Sequence, residues 1–177
     1  RDLAELYWLG NQYKRAAENF DLFLQKSGST DPELTLRAAQ FAFVSDDYAK
    51  SLNLLQSVDG KLDNPIIHRM YGWSYFKTNE MEKAIAELQK FISIYPAEKL
   101  LADDYKYLGR AYNKISESGK FDPKGMEFLE KGAAIDTSAS EAAATYKEIA
   151  AIYREQKMND QAIAAFTKGI QMDTTKA

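Results

Sequence analysis

"HRMYGWSYFKTNEMEKAIAELQKFISIYP", residues 68–96, crowds Tyr71, Trp73, Tyr75 and Phe76 around Gly72, then sets Ala84, Leu88 and Phe91 at helical spacing before Pro96. Glycine inside a helix costs about 1 kcal/mol relative to alanine, so Gly72 needs a compensating reason. Helix contact distance supplies it: a small residue lets a paired helix approach closely, and aromatics around it fill the flanking space. Gly72 and Ala84 are therefore expected as the two close-contact points of one helical pair. Tyr71 and Tyr75 then belong to packing, while Arg69, Trp73, Phe76 and Lys77 point to another face.

Both halves of this stretch recur. The spacing Ala84-Leu88-Phe91 returns as Ala16-Phe20-Phe23, Ser51-Leu55-Val58, Gly125-Leu129-Gly132 and Ala162-Phe166-Gly169, beginning at 16, 51, 84, 125 and 162. The spacing Tyr71-Gly72-x-x-Tyr75 returns as Leu3-Ala4-x-x-Tyr7, Leu108-Gly109-x-x-Tyr112 and Ile149-Ala150-x-x-Tyr153, with the weaker Ala38-Ala39-x-x-Ala42. Turn-like residues separate the halves: "GNQ" at 10–12, "SDD" at 45–47, "TNE" at 78–80 and "KMND" at 157–160. Each unit reads as helix, turn, helix. In the fourth unit "SESGKFDPKG" adds residues, with Asp122 and Pro123 expected as N-cap and first helical residue.

This pattern resembles the tetratricopeptide repeat, a unit of about 34 residues that reads W-x2-L-G-x2-Y, then A-x3-F, then P. Tyr71, Gly72, Tyr75, Ala84, Leu88 and Pro96 occupy the matching places, and His68 stands where the motif has tryptophan. The resemblance covers essentially the whole chain as five units, at about 1–30, 32–64, 65–98, 99–137 and 138–177. It implies an all-α, right-handed superhelical solenoid of stacked antiparallel helix pairs, whose concave face is lined mainly by first helices.

Composition agrees with helices. Only nine Gly and four Pro interrupt a chain of 177 residues that is 45% hydrophobic and 28% charged. Ala, Leu, Glu, Lys and Gln, which lose little freedom in a helix, are abundant. No apolar run approaches the roughly 18 to 20 residues needed to span a bilayer, so no membrane insertion by this segment is expected. The chain starts at Arg1 in helical pattern, leaving the compartment open to either a cytoplasmic or an exported domain. With no cysteine there is no disulfide framework, and a formal charge of -3 disfavours a broad nucleic-acid surface.

The inventory for catalysis is thin. There is one histidine, His68, in a packing register, and a metal site wants several such ligands. No phosphate-binding glycine loop occurs, and Asp103-Asp104 reads as a helix start, where carboxylates complement the dipole. The expectation is a non-enzymatic protein without cofactor or metal.

The resemblance places function in the concave groove. Residues just outside the packing positions of the first helices are expected there: Gln40 and Phe43; Arg69, Trp73, Phe76 and Lys77; Lys106, Arg110, Asn113 and Lys114; Lys147 and Arg154. Seven of these are basic, and only Glu33, Asp103 and Glu155 are acidic on the same faces. The expected ligand is a protein or peptide, acidic or C-terminal, held between the third and fifth units, with Trp73 and Phe76 as aromatic anchors. The competing reading makes the lysines a solvated face and Trp73 a packing residue. The clamp by which chaperone-binding relatives hold a terminal carboxylate has no counterpart here: Trp73, Tyr107, Ala144 and Glu148 fill its places.

The last unit suggests an alternative. Its second helix is expected from about Asn159 to Met172, with no polar capping helix after it. Ile163, Phe166 and Ile170 then form an exposed apolar face, the mark of an interface. Either the chain is part of a longer array or its ends are covered by another chain. An assembly module that self-associates, or stacks with further repeats, is the second expected function.

Overall fold

The computed structural model describes residues 1–174. Among them are ten α-helices: α1 (Asp2–Leu9), α2 (Tyr13–Ser27), α3 (Pro32–Val44), α4 (Tyr48–Val58), α5 (Ile66–Lys77), α6 (Met81–Ile94), α7 (Ala102–Ile115), α8 (Pro123–Ile135), α9 (Ala139–Glu155) and α10 (Asn159–Thr174). The chain is all-α, with odd-numbered first helices and even-numbered second helices. Residues 175–177 of the expected fifth unit lie outside the described residues. Two compact units divide the chain, Arg1–Glu80 and a second beginning at Met81, a division that falls inside the expected third repeat.

One turn is used repeatedly. After α1, α3, α5 and α9 a single residue enters the left-handed region: Asn11 (φ 56°), Asp46 (φ 67°), Asn79 (φ 66°) and Lys157 (φ 60°). In each case the next N–H donates back to a carbonyl five residues earlier: Gln12 to Tyr7 (2.8 Å), Asp47 to Ala42 (2.9 Å), Glu80 to Tyr75 (2.8 Å) and Met158 to Tyr153 (2.9 Å). This is the Schellman closure, which satisfies orphan carbonyls at a helix end and reverses the chain. Asn and Asp tolerate the left-handed conformation because their short polar side chains bond locally. They hold three of the four places.

The fourth connection departs from this turn. Residues 116–121 form a loop with Gly119 at φ 67°. It is tied down by the N–H of Asp122, which donates to Asn113 Oδ1 at 2.9 Å. Asp122 then caps α8, accepting from the N–H groups of Lys124 (2.8 Å) and Gly125 (2.9 Å), and Pro123 opens the helix.

The small residues set how closely paired helices pack. A methyl group on Gly109 of α7 would lie 2.6 Å from the carbonyl oxygen of Gly125 on α8, closer than a real Cβ sits. In α3 and α4 the corresponding residues are Ala39 and Ser51, both fully buried, and Ser51 Oγ donates to the Ala39 carbonyl at 3.0 Å. Gly72 of the first unit and Ala84 of the second are each buried.

The same face of successive second helices is covered each time. In the first unit Phe20 of α2 packs with Ala38 and Phe41 of α3, and Leu52 and Leu55 of α4 pack with Ile67, Met70 and Tyr71 of α5. In the second unit α7 lies on α6, and Met126, Leu129 and Ala133 of α8 are covered by Tyr146, Ile149 and Ala150 of α9.

Candidate docking surface

In the first unit the expected groove residues are engaged with one another. Phe43 of α3 meets Trp73 of α5 at 5.7 Å between ring centroids, Arg69 lies over the Trp73 ring at 5.5 Å, and Lys77 lies over Tyr48 at 5.7 Å. Gln40 accepts from Arg37 Nη1 at 2.8 Å. Phe76 is half-buried and Lys77 exposed. Arg37, which sequence reasoning passed over, sits 4.6 Å from both the Trp8 and Phe41 rings and binds Glu5 of α1 through two nitrogens. That bond and the guanidinium's charge hold the Glu5 carboxyl below the ordinary carboxylate range, against the opposing pull of burial.

In the second unit three of the expected bases have acidic partners. Lys106 is buried, with Nζ 2.7 Å from Asp136 and 3.2 Å from Asp103. Burial pulls its ammonium down, but the bonds to Asp136 and Asp103 outweigh it and leave the pKa above the ordinary lysine value. Arg110 of α7 donates in two-pronged fashion to Glu148 of α9, at 3.0 and 2.6 Å. That bond raises the already high guanidinium pKa. Lys147 reaches Asp173 at 2.9 Å. Asp136 and Asp173 stand at equivalent places after α8 and within α10, so the lysine-to-acid pair is itself a repeated feature. Asn113 is buried, holding the loop before α8 and lying 3.5 Å from Met126 Sδ. Lys114 is exposed.

Arg110 and Glu148 occupy the same places in their repeats as Glu5 and Arg37 do in theirs, with the charges reversed. In each unit, then, one position of a first helix is bonded to the position three residues earlier in the next first helix. The expected groove face thus spends several charges on fixing neighbouring repeats in register. Asp103 and Asp104, in the first turn of α7, act locally instead: Asp103 pairs with Lys106 of the same helix, and Asp104 accepts from the Leu101 N–H at 2.8 Å.

Four of the expected residues, Lys147, Arg154, Ile163 and Phe166, line one cleft of about 560 Å³ between α9 and α10. Ala150, Ala151, Ala162, Ile163 and Phe166 line its apolar part, and Lys147, Arg154, Asn159 and Thr167 its polar margin. Lys147 and Arg154 come from the groove set, Ile163 and Phe166 from the apolar face of the last helix. Arg154 is exposed and has no acidic partner among the described residues. Ile163, Phe166 and Ile170 are 65%, 51% and 48% exposed. Their register equivalents on α8, Met126, Leu129 and Ala133, are at most 1% exposed. The cleft is therefore the place that α9 fills on α7 and α8.

Residues 70–97 and 143–176 each match the tetratricopeptide repeat family. No curated protein matches the chain in sequence. Among solved structures, MamA is similar over 99% of this chain and 97% of its own, with a TM-score of 0.74 and 20% identity. MamA from Desulfovibrio magneticus RS-1 is similar over 99% and 98%, with a TM-score of 0.71 and 17% identity. The C-terminal part of a TPR repeat-containing protein from Cytophaga hutchinsonii is similar over 98% of this chain and 64% of its own, with a TM-score of 0.71 and 19% identity. No described helix is long and apolar enough to cross a membrane. The chain carries tetratricopeptide repeats, the helical repeat of protein-interaction scaffolds, on a fold it shares with MamA.

Proposed function

We propose that this chain is a non-enzymatic protein-interaction scaffold whose docking site in the second unit is the α9–α10 cleft. Its ligand is an amphipathic segment with acidic residues beside an apolar face. The observation that carries this reading is the exposure of Ile163 and Phe166 in a register that is otherwise buried. Arg154 at the margin of the cleft supports the preference for acid on the ligand, because a cation at the rim of an apolar cleft favours a carboxylate there. Lys106, Arg110 and Lys147 contribute less, since their charges are already matched within the unit. In the first unit the mutual packing of Phe43, Trp73 and Arg69 supports a structural role for those residues.

An array of helical peptides with a common apolar stripe and acidic, neutral or basic flanks tests the reading. The acidic set should bind the chain best, and Phe166→Glu should abolish that binding while the circular dichroism spectrum stays unchanged. Binding that ignores Phe166→Glu and Arg154→Glu, or that does not need the apolar stripe, would overturn it.

A further inference from the structure

A second cleft lies inside the second unit, where α7 begins, α8 ends and α9 begins. Helix α7 starts at Ala102, seven residues before its close-contact Gly109, whereas α9 starts at Ala139, eleven residues before the equivalent Ala150. The first helix of the fourth repeat is thus about one turn short. A 3-10 turn at Ala97–Lys99 and the extended residues Leu100 and Leu101 stand in its place, and a cleft of about 330 Å³ opens beside them. Buried Leu100 lines it together with Leu101 and Ile135, which are 48% and 45% exposed. Asp103, Asp136 and Glu141 line it too, against a single base, Lys106. Asp136 is fixed, accepting from Lys106 through one oxygen at 2.7 Å and from the Ser138 N–H through the other at 3.0 Å. Asp103 is half exposed, and Glu141 is exposed with no basic partner among the described residues. Three carboxylates and one ammonium leave the cleft with two surplus negative charges. Lys106 shows the effect of that field: burial would lower its pKa, yet Asp136 and Asp103 keep it above the ordinary lysine value. The lysine-to-acid pair recurs as Lys147 with Asp173 and so belongs to the repeat. The rest of the cleft does not recur: on α9 the places of Leu101 and Asp103 are taken by Ala142, fully buried, and Ala144.

We propose that this cleft is a second docking site, which takes an extended peptide segment of a partner protein carrying a lysine or arginine beside a bulky apolar residue. The apolar side chain covers Leu101 and Ile135, and the cation meets Asp103 and Glu141. Charge decides the basic residue, because a surplus of carboxylates around apolar walls draws and orients a cation. Size decides the extended form: a helix with its side chains is about 10–12 Å across, whereas this cleft is near the small end of ligand pockets and has room for one or two side chains. The site is separate from the α9–α10 cleft, opposite to it in charge preference, and independent of its reading.

Chemical-shift mapping on the isotope-labelled chain tests this with three end-blocked peptides, Gly-Leu-Arg-Leu-Gly, Gly-Leu-Glu-Leu-Gly and Gly-Ser-Arg-Ser-Gly. The first should bind best, shifting the amides of Leu101, Asp103, Ile135 and Glu141 and leaving those of α10 in place. Asp103→Asn and Glu141→Gln change exposed side chains, so both variants should keep the helical spectrum. Each should weaken the arginine peptide about three-fold and the two together about ten-fold. Phe166→Glu should leave its binding unchanged. Equal binding of the glutamate or the serine peptide would overturn the proposal, as would the absence of a saturable shift at this cleft or a double variant that binds as well as the unmodified chain. Loss of the arginine peptide on Phe166→Glu would place it in the α9–α10 cleft and overturn the proposal too. The α9–α10 reading is tested by acidic helical peptides, so either site can fail without the other.

Discussion

Helices α8 and α10 present the same face in the same register, yet Met126, Leu129 and Ala133 are hidden and Ile163, Phe166 and Ile170 are 48% to 65% exposed. Single exposed apolar side chains are ordinary on a protein surface. Three on one helix face, each aligned with an interior residue of the neighbouring repeat, form a continuous apolar surface. Covering them would contribute on the order of 3 kcal/mol, taking about half the full-burial value for each side chain. The repeat pattern thus writes an interface wherever it places a second helix, and the surroundings decide what fills it.

The comparison can be broken most strongly at equivalent positions. Leu129→Ala should lower stability by about 2–5 kcal/mol in urea denaturation, through lost burial and a cavity under α9. Phe166→Ala, at the matching place on α10, should change it by no more than about 0.5 kcal/mol. Equal effects would mean that α10 is covered in the isolated chain. Next in size is Gly109→Ala. Its methyl would press on the Gly125 carbonyl, and overpacking of this kind costs about 1–3 kcal/mol. Ala150→Gly, in the same register of the α9–α10 pair, should cost no more than the helix propensity difference of about 1 kcal/mol.

Smaller effects belong to the ion pairs. Arg110→Glu should lower stability slightly, by up to about 1 kcal/mol for a partly exposed pair, and the double variant Arg110→Glu with Glu148→Arg should recover it in urea denaturation. A double variant no better than the single one would deny the pair its registering role. Smallest is a pH effect in the first unit. The Glu5 carboxyl is held below its ordinary range by Arg37, so its contribution is full at neutral pH and is lost as pH falls through that lowered value. The midpoint of Arg37→Gln should therefore fall less steeply with acid than that of the unmodified chain.

Much of this was legible in the sequence because it depends on period and backbone. The close-contact residues Ala39, Ser51, Gly109 and Gly125 occur at repeat spacing, and Asn11, Asp46 and Asn79 declare their turns. Asp122 and Pro123 announce α8. Less legible was which charges on the first helices stay available. Asp136 lies 30 residues from Lys106, Glu148 lies 38 from Arg110 and Asp173 lies 26 from Lys147, and helical register gives a face without saying which long side chains meet across it. Asn113 shares that difficulty: the loop that claims it has no period to read. The convergence of Lys147 and Arg154 with Ile163 and Phe166 in one cleft likewise needed the packing of α9 on α10.

Amide hydrogen exchange of the chain with and without a helical peptide that carries an apolar stripe and acidic flanks tests the central claim most directly. Protection should rise on peptide addition in α9 and α10 and stay constant in α4 and α8, whose equivalent faces are already covered. Unchanged exchange in α9 and α10, or a rise that Phe166→Glu does not remove, would contradict the account.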